Sequence, residues 1–409
     1  MRVFDSVVLP SGLQLDNRIV KAAMEENMAT VQQEPGQTIY NLYAAWAKGA
    51  MGAIITGNVM IDKLCMTGPA GISLHAQSDL APFIEWSRIT KTHGVKLIMQ
   101  INHPGRQTYK NMRGKSLSPS DVALNLGKHS ALFAKPQPMT AADIQDVITR
   151  FTVTAQQAER SGFDGVQIHA AHGYLISQFL SPLVNKRTDK WGGDIKNRSR
   201  LLMQVVRSVK QAVSSTFSVS VKLNSADFQR GGFDIDDAKY VVQHLEETNI
   251  DFVELSGGSY EAPAMQGNSA DDRTLAREAY FLEFAKSIAE HTTLKVMTTG
   301  GVRRLEIANK VIDENIDLVG IASAMAFAPE LVSIWANSPN HAGFIPKVEW
   351  KNKTLAALAT MALVRRQLQR LGKGKKPKLN SSPLFSLVKD RIRLAKLTKR
   401  YRKNVIDGS

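Results

Sequence analysis

Cysteine is almost absent from this chain of 409 residues, because Cys65 is the only one. A single thiol excludes an intramolecular disulfide framework, a zinc site built from cysteines and an iron–sulfur cluster. Long apolar runs are missing too, and no uninterrupted stretch approaches the roughly 18 residues that a membrane-spanning helix requires. The amino-terminal residues also lack the apolar segment and small-residue cleavage site of a secretion signal. These absences predict a cytoplasmic protein.

Acidic residues are scarce in one part of the chain only. Of the 52 basic and 37 acidic residues, residues 351–409 hold 17 basic and two acidic ones. The preceding 350 residues therefore carry 35 of each sign, and the whole formal net charge of +15 lies in the tail. We predict a neutral folded domain over residues 1–345 and a basic, helical extension over residues 346–409.

The extension contains two stretches with helical spacing, over residues 354–371 and 386–402. Its concentrated positive charge suits an anionic membrane surface, a nucleic acid or an acidic ligand. A helical appendage that packs on the body and exposes a solvated basic face explains the same pattern. Aromatic residues that would stack on bases are few within residues 351–409, namely Phe385 and Tyr401. Both interpretations stay open at this level.

The body contains a repeat of short β-rich runs, each followed by an amphipathic segment. Parallel strands need such crossovers, so the repeat predicts a (β/α)8 TIM barrel. Residues 1–17 are typical of a hairpin that turns at residues 10–12, and we expect it to plug the barrel floor. The eight runs span residues 18–23, 53–60, 96–102, 164–171, 218–224, 251–258, 295–301 and 318–324.

The fourth run ends in a polar cluster of His169, His172 and Tyr174. In such barrels the chemistry lies at the carboxyl ends of the strands. Two imidazole N–H groups can stabilise negative charge that develops on one substrate oxygen, and a nearby phenol can protonate a carbanion or enolate. The alternative is that one histidine caps or packs and that Tyr174 fills space. No third ligand is evident nearby, so no metal site is predicted.

Gly300 and Gly301 close the seventh run. Phosphate sites of such barrels use the loops after strands seven and eight, and glycine lets the backbone approach an anion closely. The chain lacks the P-loop signature, which argues against a nucleotide triphosphatase. Residues 103–140, after the third run, are long enough to form a cap over the pocket.

The run HAAHGYLISQFLSPLVNKRTDKWGGDIKNRSRL (169–201) closely resembles the signature of the old yellow enzyme family of FMN-dependent ene-reductases, which includes the flavin barrel of 2,4-dienoyl-CoA reductase. The resemblance implies that FMN lies across the barrel mouth and is reduced by NADH or NADPH. Its N5 then delivers hydride to the C=C bond of a small α,β-unsaturated carbonyl substrate. Supporting stretches are NRIVKAAMEEN (17–27), GAIITGNVM (52–60), IMQINHPGRQ (98–107), VKLNSADF (221–228), ELSGG (254–258) and REAYF (277–281).

The resemblance also implies roles for individual residues. His169 and His172 match the pair that holds the substrate carbonyl, and Tyr174 matches the proton donor. Eleven further positions match the family's cofactor-binding residues along the flavin ring, at its pyrimidine side and at its phosphate. They are Ala22, Ala23, Met24, Glu25, Asn58, Gln100, Lys222, Gly300, Gly301, Ala322 and Ser323.

Two of these positions depart from the family pattern. Ser323 stands where the family usually has an arginine that holds the phosphate. The absence of that arginine removes a charge-assisted contact on the order of 1.5–3 kcal/mol. Glu25 stands where some branches place cysteine or threonine; ionised, it would lower the flavin potential, and protonated, it would donate a hydrogen bond. A second hypothesis follows, namely a barrel with weakened flavin binding that acts mainly as a tail-directed binding protein at a membrane surface or nucleic acid.

Overall fold

The computed structural model describes residues 2–264 and 278–408. Within them, eight parallel strands form a closed barrel in which each strand pairs with the next and the last pairs with the first. Each predicted run contains one of these strands, so the predicted (β/α)8 barrel is confirmed. The strands are β1 (Ile19–Lys21), β2 (Ala53–Ile55), β3 (Lys96–Asn102), β4 (Gly165–Ala170), β5 (Ser218–Asn224), β6 (Val253–Ser256), β7 (Val296–Thr298) and β8 (Leu318–Ile321).

Helices cover the outside of the barrel, and the long ones among them bury an apolar face against it. In the third, for example, Thr140 and Asp143 form a capping box, and Ile144, Val147 and Phe151 are buried at helical spacing. The helices are α1 (Gln37–Ala47), α2 (Ala81–Thr90), α3 (Ala141–Arg160), α4 (Leu175–Leu180), α5 (Ile195–Arg198), α6 (Arg200–Ala212), α7 (Ile235–Glu246), α8 (Leu282–Ala289), α9 (Leu305–Asp313), α10 (Ser323–Phe327), α11 (Leu331–Asn337), α12 (Lys353–Leu371) and α13 (Pro383–Tyr401).

Shorter elements decorate both ends of the barrel. None of the helices in the described residues is long and apolar enough to cross a membrane. The short strands are Val7–Val8, Gln14–Leu15, Val59–Met60, Ile72–Ser73, Leu117–Ser118 and Gln137–Pro138; the 3-10 turns are Lys91–His93, Lys110–Met112 and Gly127–Leu132, and a π-helical turn spans Arg402–Ile406.

The amino-terminal hairpin closes the floor of the barrel. Its strands, Val7–Val8 and Gln14–Leu15, pair antiparallel. At the turn, the backbone N–H and the hydroxyl of Ser11 each donate to a carboxylate oxygen of Asp251 at 2.7 Å. Asp251 lies two residues before β6, so the turn lies at the end of the barrel opposite the chemistry. The predicted hairpin and its position are confirmed.

The two helices predicted for the extension are present as α12 and α13, and they pack on the barrel. Leu363, Leu368 and Leu371 of α12 belong to the same buried core as the barrel helices. Helix α12 contacts α1 and α10, and α13 contacts α12. The domain boundary at residue 345 stays a prediction, but a free, solvated tail is not what these helices form.

The extension contacts loops at the carboxyl ends of the barrel strands. Arg400 Nη2 donates to the carbonyl of Ala29 (3.0 Å) in the loop after β1, and the Tyr401 hydroxyl donates to the carbonyl of Lys63 (2.9 Å) in the loop after β2. Tyr401 and Val405 also form a small buried cluster with methionines of the loops that follow β2 and β3. The extension therefore lies on the end of the barrel where active sites are built.

Candidate active site

Strand β4 and the turn after it bring His169, His172 and Tyr174 together. The ring of His169 lies 5.0 Å from that of His172 and 4.8 Å from that of Tyr174, in edge-to-face contacts. His169 and Tyr174 are buried. The cluster lies at the carboxyl end of the barrel, as the sequence predicted.

The backbone of His172 is held in an uncommon conformation by neighbouring strands. Its φ of 61° lies in the left-handed region, which costs energy for a residue with a side chain. Asn224 Oδ1 accepts from its N–H, and Gln107 Nε2 donates to its carbonyl, both at 3.0 Å. Ser256 Oγ lies 2.8 Å from its Nε2. Sequence reasoning missed these three partners, although Asn224 and Ser256 are the last residues of β5 and β6.

The hydrogen bonds indicate where each imidazole carries its proton. His169 Nδ1 accepts from the backbone N–H of Ala171 (3.2 Å), so its proton is on Nε2. When the Ser256 hydroxyl donates to His172 Nε2, the proton of that ring is on Nδ1. These assignments follow from the network of partners. With these assignments, His169 Nε2–H and His172 Nδ1–H are both available to donate to a ligand.

Burial sets the charge state of the cluster. It lowers the pKa of His169 and of His172 well below the usual value, and the positive charge of Lys222 acts in the same direction. Burial, and next the carboxylate of Glu25, raise the pKa of Tyr174. At neutral pH the site therefore presents two uncharged imidazoles and a protonated phenol.

A wall of aromatic rings closes one side of this cluster. Tyr260, from the loop after β6, places its hydroxyl oxygen 3.3 Å from that of Tyr174. Tyr109 and Phe133 stack with ring centres 4.7 Å apart, and Phe133 in turn contacts the ring of Tyr260. Both come from the segment 103–140 that the sequence suggested as a cap. Tyr260 itself carries no local signal in the sequence and was missed.

The barrel interior beneath the cluster holds a chain of buried polar side chains. Lys222 Nζ lies 2.6 Å from Glu254 Oε1, and Gln167 Nε2 donates to the other Glu254 oxygen at 2.9 Å. Gln100 Nε2 donates to Gln167 Oε1 at 2.7 Å. The structure thus connects Gln100 and Lys222 through two residues that sequence reasoning missed. It also shows that Glu254 balances the charge of Lys222.

The segment 22–25 follows β1 and leads to a second polar chain. The Thr67 hydroxyl donates to Glu25 Oε1 at 2.6 Å, and Asn58 Nδ2 lies 3.5 Å from that hydroxyl. On the other side, Arg365 Nη2 of α12 lies 3.7 Å from Glu25 Oε2. Asn58 and Glu25 are therefore brought together, and a residue of the extension adds a positive charge beside them.

Gly300 and Gly301 form a backbone cradle at the end of β7. Their φ values of 124° and 75° favour glycine, and a Cβ on either residue would clash with Tyr280. Their N–H groups make no hydrogen bond within residues 2–264 and 278–408. Ala322 and Ser323 begin α10 beside this loop, because β7 and β8 are neighbours. Arg277 of the predicted REAYF stretch lies outside the described residues.

The residues present fit FMN. Unpaired backbone N–H groups in a cradle that only glycine can form suit a phosphate. Amide side chains in the buried chain of Gln100 suit the polar edge of the ring, and the Lys222 ammonium suits its oxygens. At position 323 the chain offers a serine hydroxyl beside these backbone donors, instead of the arginine that the resemblance implies.

A (β/α)8 barrel with a histidine pair and a tyrosine above buried polar side chains places this protein in the class of flavin-dependent barrel oxidoreductases. The chain belongs to the NADH:flavin oxidoreductase / NADH oxidase family, whose profile matches residues 4–338. The predictions of old yellow enzyme kinship, of FMN as the cofactor and of NADH as a reductant are thereby confirmed at the level of the family.

Among known proteins, the chain is 34% identical over 381 residues to an NADH-dependent flavin oxidoreductase of Neonectria sp. (strain DH2), with 87% of this chain and 50% of that protein covered. It is also 31% identical over 328 residues to an NADH oxidase of Thermoanaerobacter brockii, covering 78% of this chain and 48% of that protein. The chain thus spans about half the length of each of these relatives.

Solved structures support the fold. A 2-naphthoyl-CoA reductase complex superposes with a TM-score of 0.76 at 21% identity, covering 82% of this chain and 52% of that one. An old yellow enzyme homologue from Zymomonas mobilis gives a TM-score of 0.72 at 21% identity, covering 84% and 95% of the two chains. Morphinone reductase gives 0.70 at 19% identity, covering 84% and 91%.

Proposed function

We propose that this chain is an FMN-dependent ene-reductase that uses NADH or NADPH to reduce the C=C bond of an α,β-unsaturated carbonyl compound. The observation that carries the proposal is the convergence of two neutral imidazole donors and one protonated phenol at the carboxyl end of the barrel. Bound FMN supplies the hydride that is added to the β-carbon. Every other part of the reaction falls to side chains of this protein.

The histidine pair polarises the substrate. His169 Nε2–H and His172 Nδ1–H donate to the carbonyl oxygen, where negative charge collects as hydride reaches the β-carbon. Preorganised donors in a buried site stabilise such charge more than water does, and each one typically contributes about 10²- to 10³-fold in rate. Ser256 and Asn224 act as positioning residues, since they hold the ring and the backbone of His172.

Tyr174 completes the reduction by giving its phenolic proton to the α-carbon. The Tyr174 oxygen is then negatively charged, and it accepts a hydrogen bond from the Tyr260 hydroxyl, 3.3 Å away. Proton donation by a positioned side chain typically contributes about 10²- to 10⁴-fold. The raised pKa of Tyr174 ensures that the proton is present throughout the neutral range.

The cofactor would be held by the remaining predicted residues. Gly300, Gly301, Ala322 and Ser323 would bind its phosphate, and Gln100 and Lys222 would bind the polar edge of its ring. Ala22, Ala23, Met24, Glu25 and Asn58 would line the ring itself.

A direct test is to purify the protein, record the flavin absorbance, and analyse the products of an enone panel with each nicotinamide. We expect a yellow protein that forms saturated ketones. A colourless protein that added FMN cannot restore, or consumption of NADH without a saturated product, would contradict the proposal. The first result would instead favour a barrel with weakened flavin binding.

The pH dependence of this reaction should lack an acid limb near pH 6.5. Because both histidine pKa values are lowered, the rings stay neutral well below that pH, and the rate constant of the step that follows enone binding is expected to be flat there. Stability behaves differently: the unfolded chain takes up protons below about pH 6.5, so the contribution of these rings to folding is fully present above that pH and falls below it. Stopped-flow rates and denaturant titrations across pH measure the two effects, and a rate that follows a pKa near 6.5 would refute neutral histidines.

Gly301→Ala should weaken FMN binding by about ten- to a hundredfold, since the cradle must distort to admit a Cβ and its contacts to the charged phosphate weaken. Gly94→Ala is the matched control, because Gly94 has a φ of 80° and an added Cβ would meet nothing within 4 Å. Titration of the apoprotein with FMN, followed by fluorescence quenching, gives both dissociation constants. Equal affinity in the two variants would show that the cradle does not bind the phosphate.

A further inference from the structure

Helix α13 exposes a row of apolar side chains on the face that points away from the barrel. Leu384, Phe385, Val388 and Ile392 are between 50% and 62% exposed. Leu384, Val388 and Ile392 follow one another at intervals of four residues, so they form a stripe along one side of the helix. Such a contiguous row differs from the scattered apolar residues that any protein surface carries.

The opposite side of the same helix is already in use. Ser386, Asp390, Thr398 and Tyr401 are buried against the rest of the protein. The apolar row is therefore not the face that α13 needs for packing on its own barrel. Arg366 lies over the ring of Phe385, with its guanidinium carbon 5.0 Å from the ring centre, but Leu384, Val388 and Ile392 remain at least half exposed among the described residues.

Basic residues border this row. On a helical projection, Lys389 and Lys396 lie on one side of it and Arg391 on the other, and all three are exposed. The loop before the helix, residues 372–380, adds four exposed lysines and the exposed Leu379. None of these bases forms an ion pair within the described residues.

The two acids of residues 351–409 do not neutralise this surface. Asp390 is buried and pairs with Arg365 at 3.0 Å. Asp407 lies 3.8 Å from Arg113. The excess positive charge that the sequence concentrates here is thus displayed around an apolar row.

These observations distinguish among possible partners. Nucleic acid would use the basic residues but gains nothing from exposed aliphatic chains, and its stacking partners are aromatic. A second copy of the chain would bring like charges together around the row. An anionic lipid surface uses both features, because the apolar row enters the interface and the flanking bases meet the headgroups.

We propose that the outer face of α13 docks this protein on an anionic phospholipid membrane, with the helix axis parallel to the surface. The proposal goes beyond the redox function and does not depend on it. Because α13 is clamped to the loops after β1 and β2, docking would hold the catalytic end of the barrel near the bilayer.

Sedimentation of the FMN-loaded protein with vesicles tests the proposal. We expect binding to vesicles of phosphatidylcholine mixed with phosphatidylglycerol to exceed binding to phosphatidylcholine alone by about tenfold or more, and to weaken as salt is raised. The variant Val388→Ser with Ile392→Ser should lower the partition coefficient on the mixed vesicles by about tenfold, since two half-exposed aliphatic chains no longer enter the interface.

A matched control is Val8→Ser with Ile84→Ser, which changes the same residue types at positions that are 57% and 48% exposed on the body. It should bind as the unchanged protein does. The proposal is overturned if the protein binds the mixed vesicles no better than neutral ones, or if both double variants show the same decrease in the partition coefficient. It is also overturned if duplex DNA binds with an affinity that the Val388→Ser and Ile392→Ser changes leave intact while vesicles do not bind. Conversion of a dimer to a monomer by those changes, without vesicle binding, would assign the face to self-association instead.

Discussion

Tyr174→Phe is expected to lower turnover on an enone by about 10²- to 10⁴-fold while NADH oxidation with a quinone acceptor continues at nearly the original rate. Reduction of an enone needs a proton at carbon, which the phenol supplies. In a quinone the added charge settles on oxygen, which water protonates without help. Steady-state kinetics with the two acceptors on the same preparation measure the split.

Two features make this comparison decisive. Phenylalanine preserves the ring that packs edge-on against His169 at 4.8 Å, so the pocket keeps its shape. Tyr260→Phe is a matched control, because it removes a neighbouring hydroxyl from the same aromatic wall and should reduce enone turnover far less. Equal losses on both acceptors in the Tyr174 variant would contradict its role as proton donor.

Arg365→Met is expected to lower the free energy of unfolding by about 3–5 kcal/mol. The guanidinium pairs with the buried carboxylate of Asp390 at 3.0 Å and lies 3.7 Å from Glu25. Removing one partner leaves the other charge buried and uncompensated, which is the costly way to break such a pair. Denaturant titration of the FMN-loaded protein gives the change.

The controls for Arg365 use other ion pairs and a rescue. Arg88→Met breaks an exposed pair with Glu85 (2.7 Å) on the surface of α2, and pairs of that kind contribute little. Adding Asp390→Leu to Arg365→Met should recover much of the lost stability, because the more deeply buried of the two carboxylates that Arg365 contacts is then removed as well. If Arg88→Met costs as much as Arg365→Met, burial of the pair is not what stabilises the extension.

The barrel was predictable from the sequence because its signal is local. Strand β5 spans Ser218–Asn224, the same residues as the predicted run, because Val219, Val221 and Leu223 alternate with polar residues at the period of a strand. At β1 and β7 the observed strands have only three residues and are shorter than the predicted runs. The predicted runs also included residues of the loops that follow these strands. Residues matched to the cofactor follow within two positions of each strand end, Ala22 after β1 and Gly300 after β7.

The contacts that complete the site were not predictable, because they join distant parts of the chain. Nothing near Glu25 indicates that a residue 340 positions later, Arg365, lies beside it. Ser256 and Tyr260 acquire their relation to His172 and Tyr174 only when β4 and β6 enter one barrel. The basic composition of the extension was likewise compatible with a free tail until packing showed otherwise.

The clamp between the extension and the loops after β1 and β2 has a consequence for synthesis. The ribosome synthesises the chain from its amino terminus, and the last barrel strand ends at residue 321. The carbonyls of Ala29 and Lys63 accept hydrogen bonds from Arg400 and Tyr401 only after residues 400 and 401 have emerged from the ribosome. During synthesis all eight barrel strands are therefore available before the loops after β1 and β2 gain their contacts with the extension. We expect full reductase activity only after residues 400 and 401 have been translated.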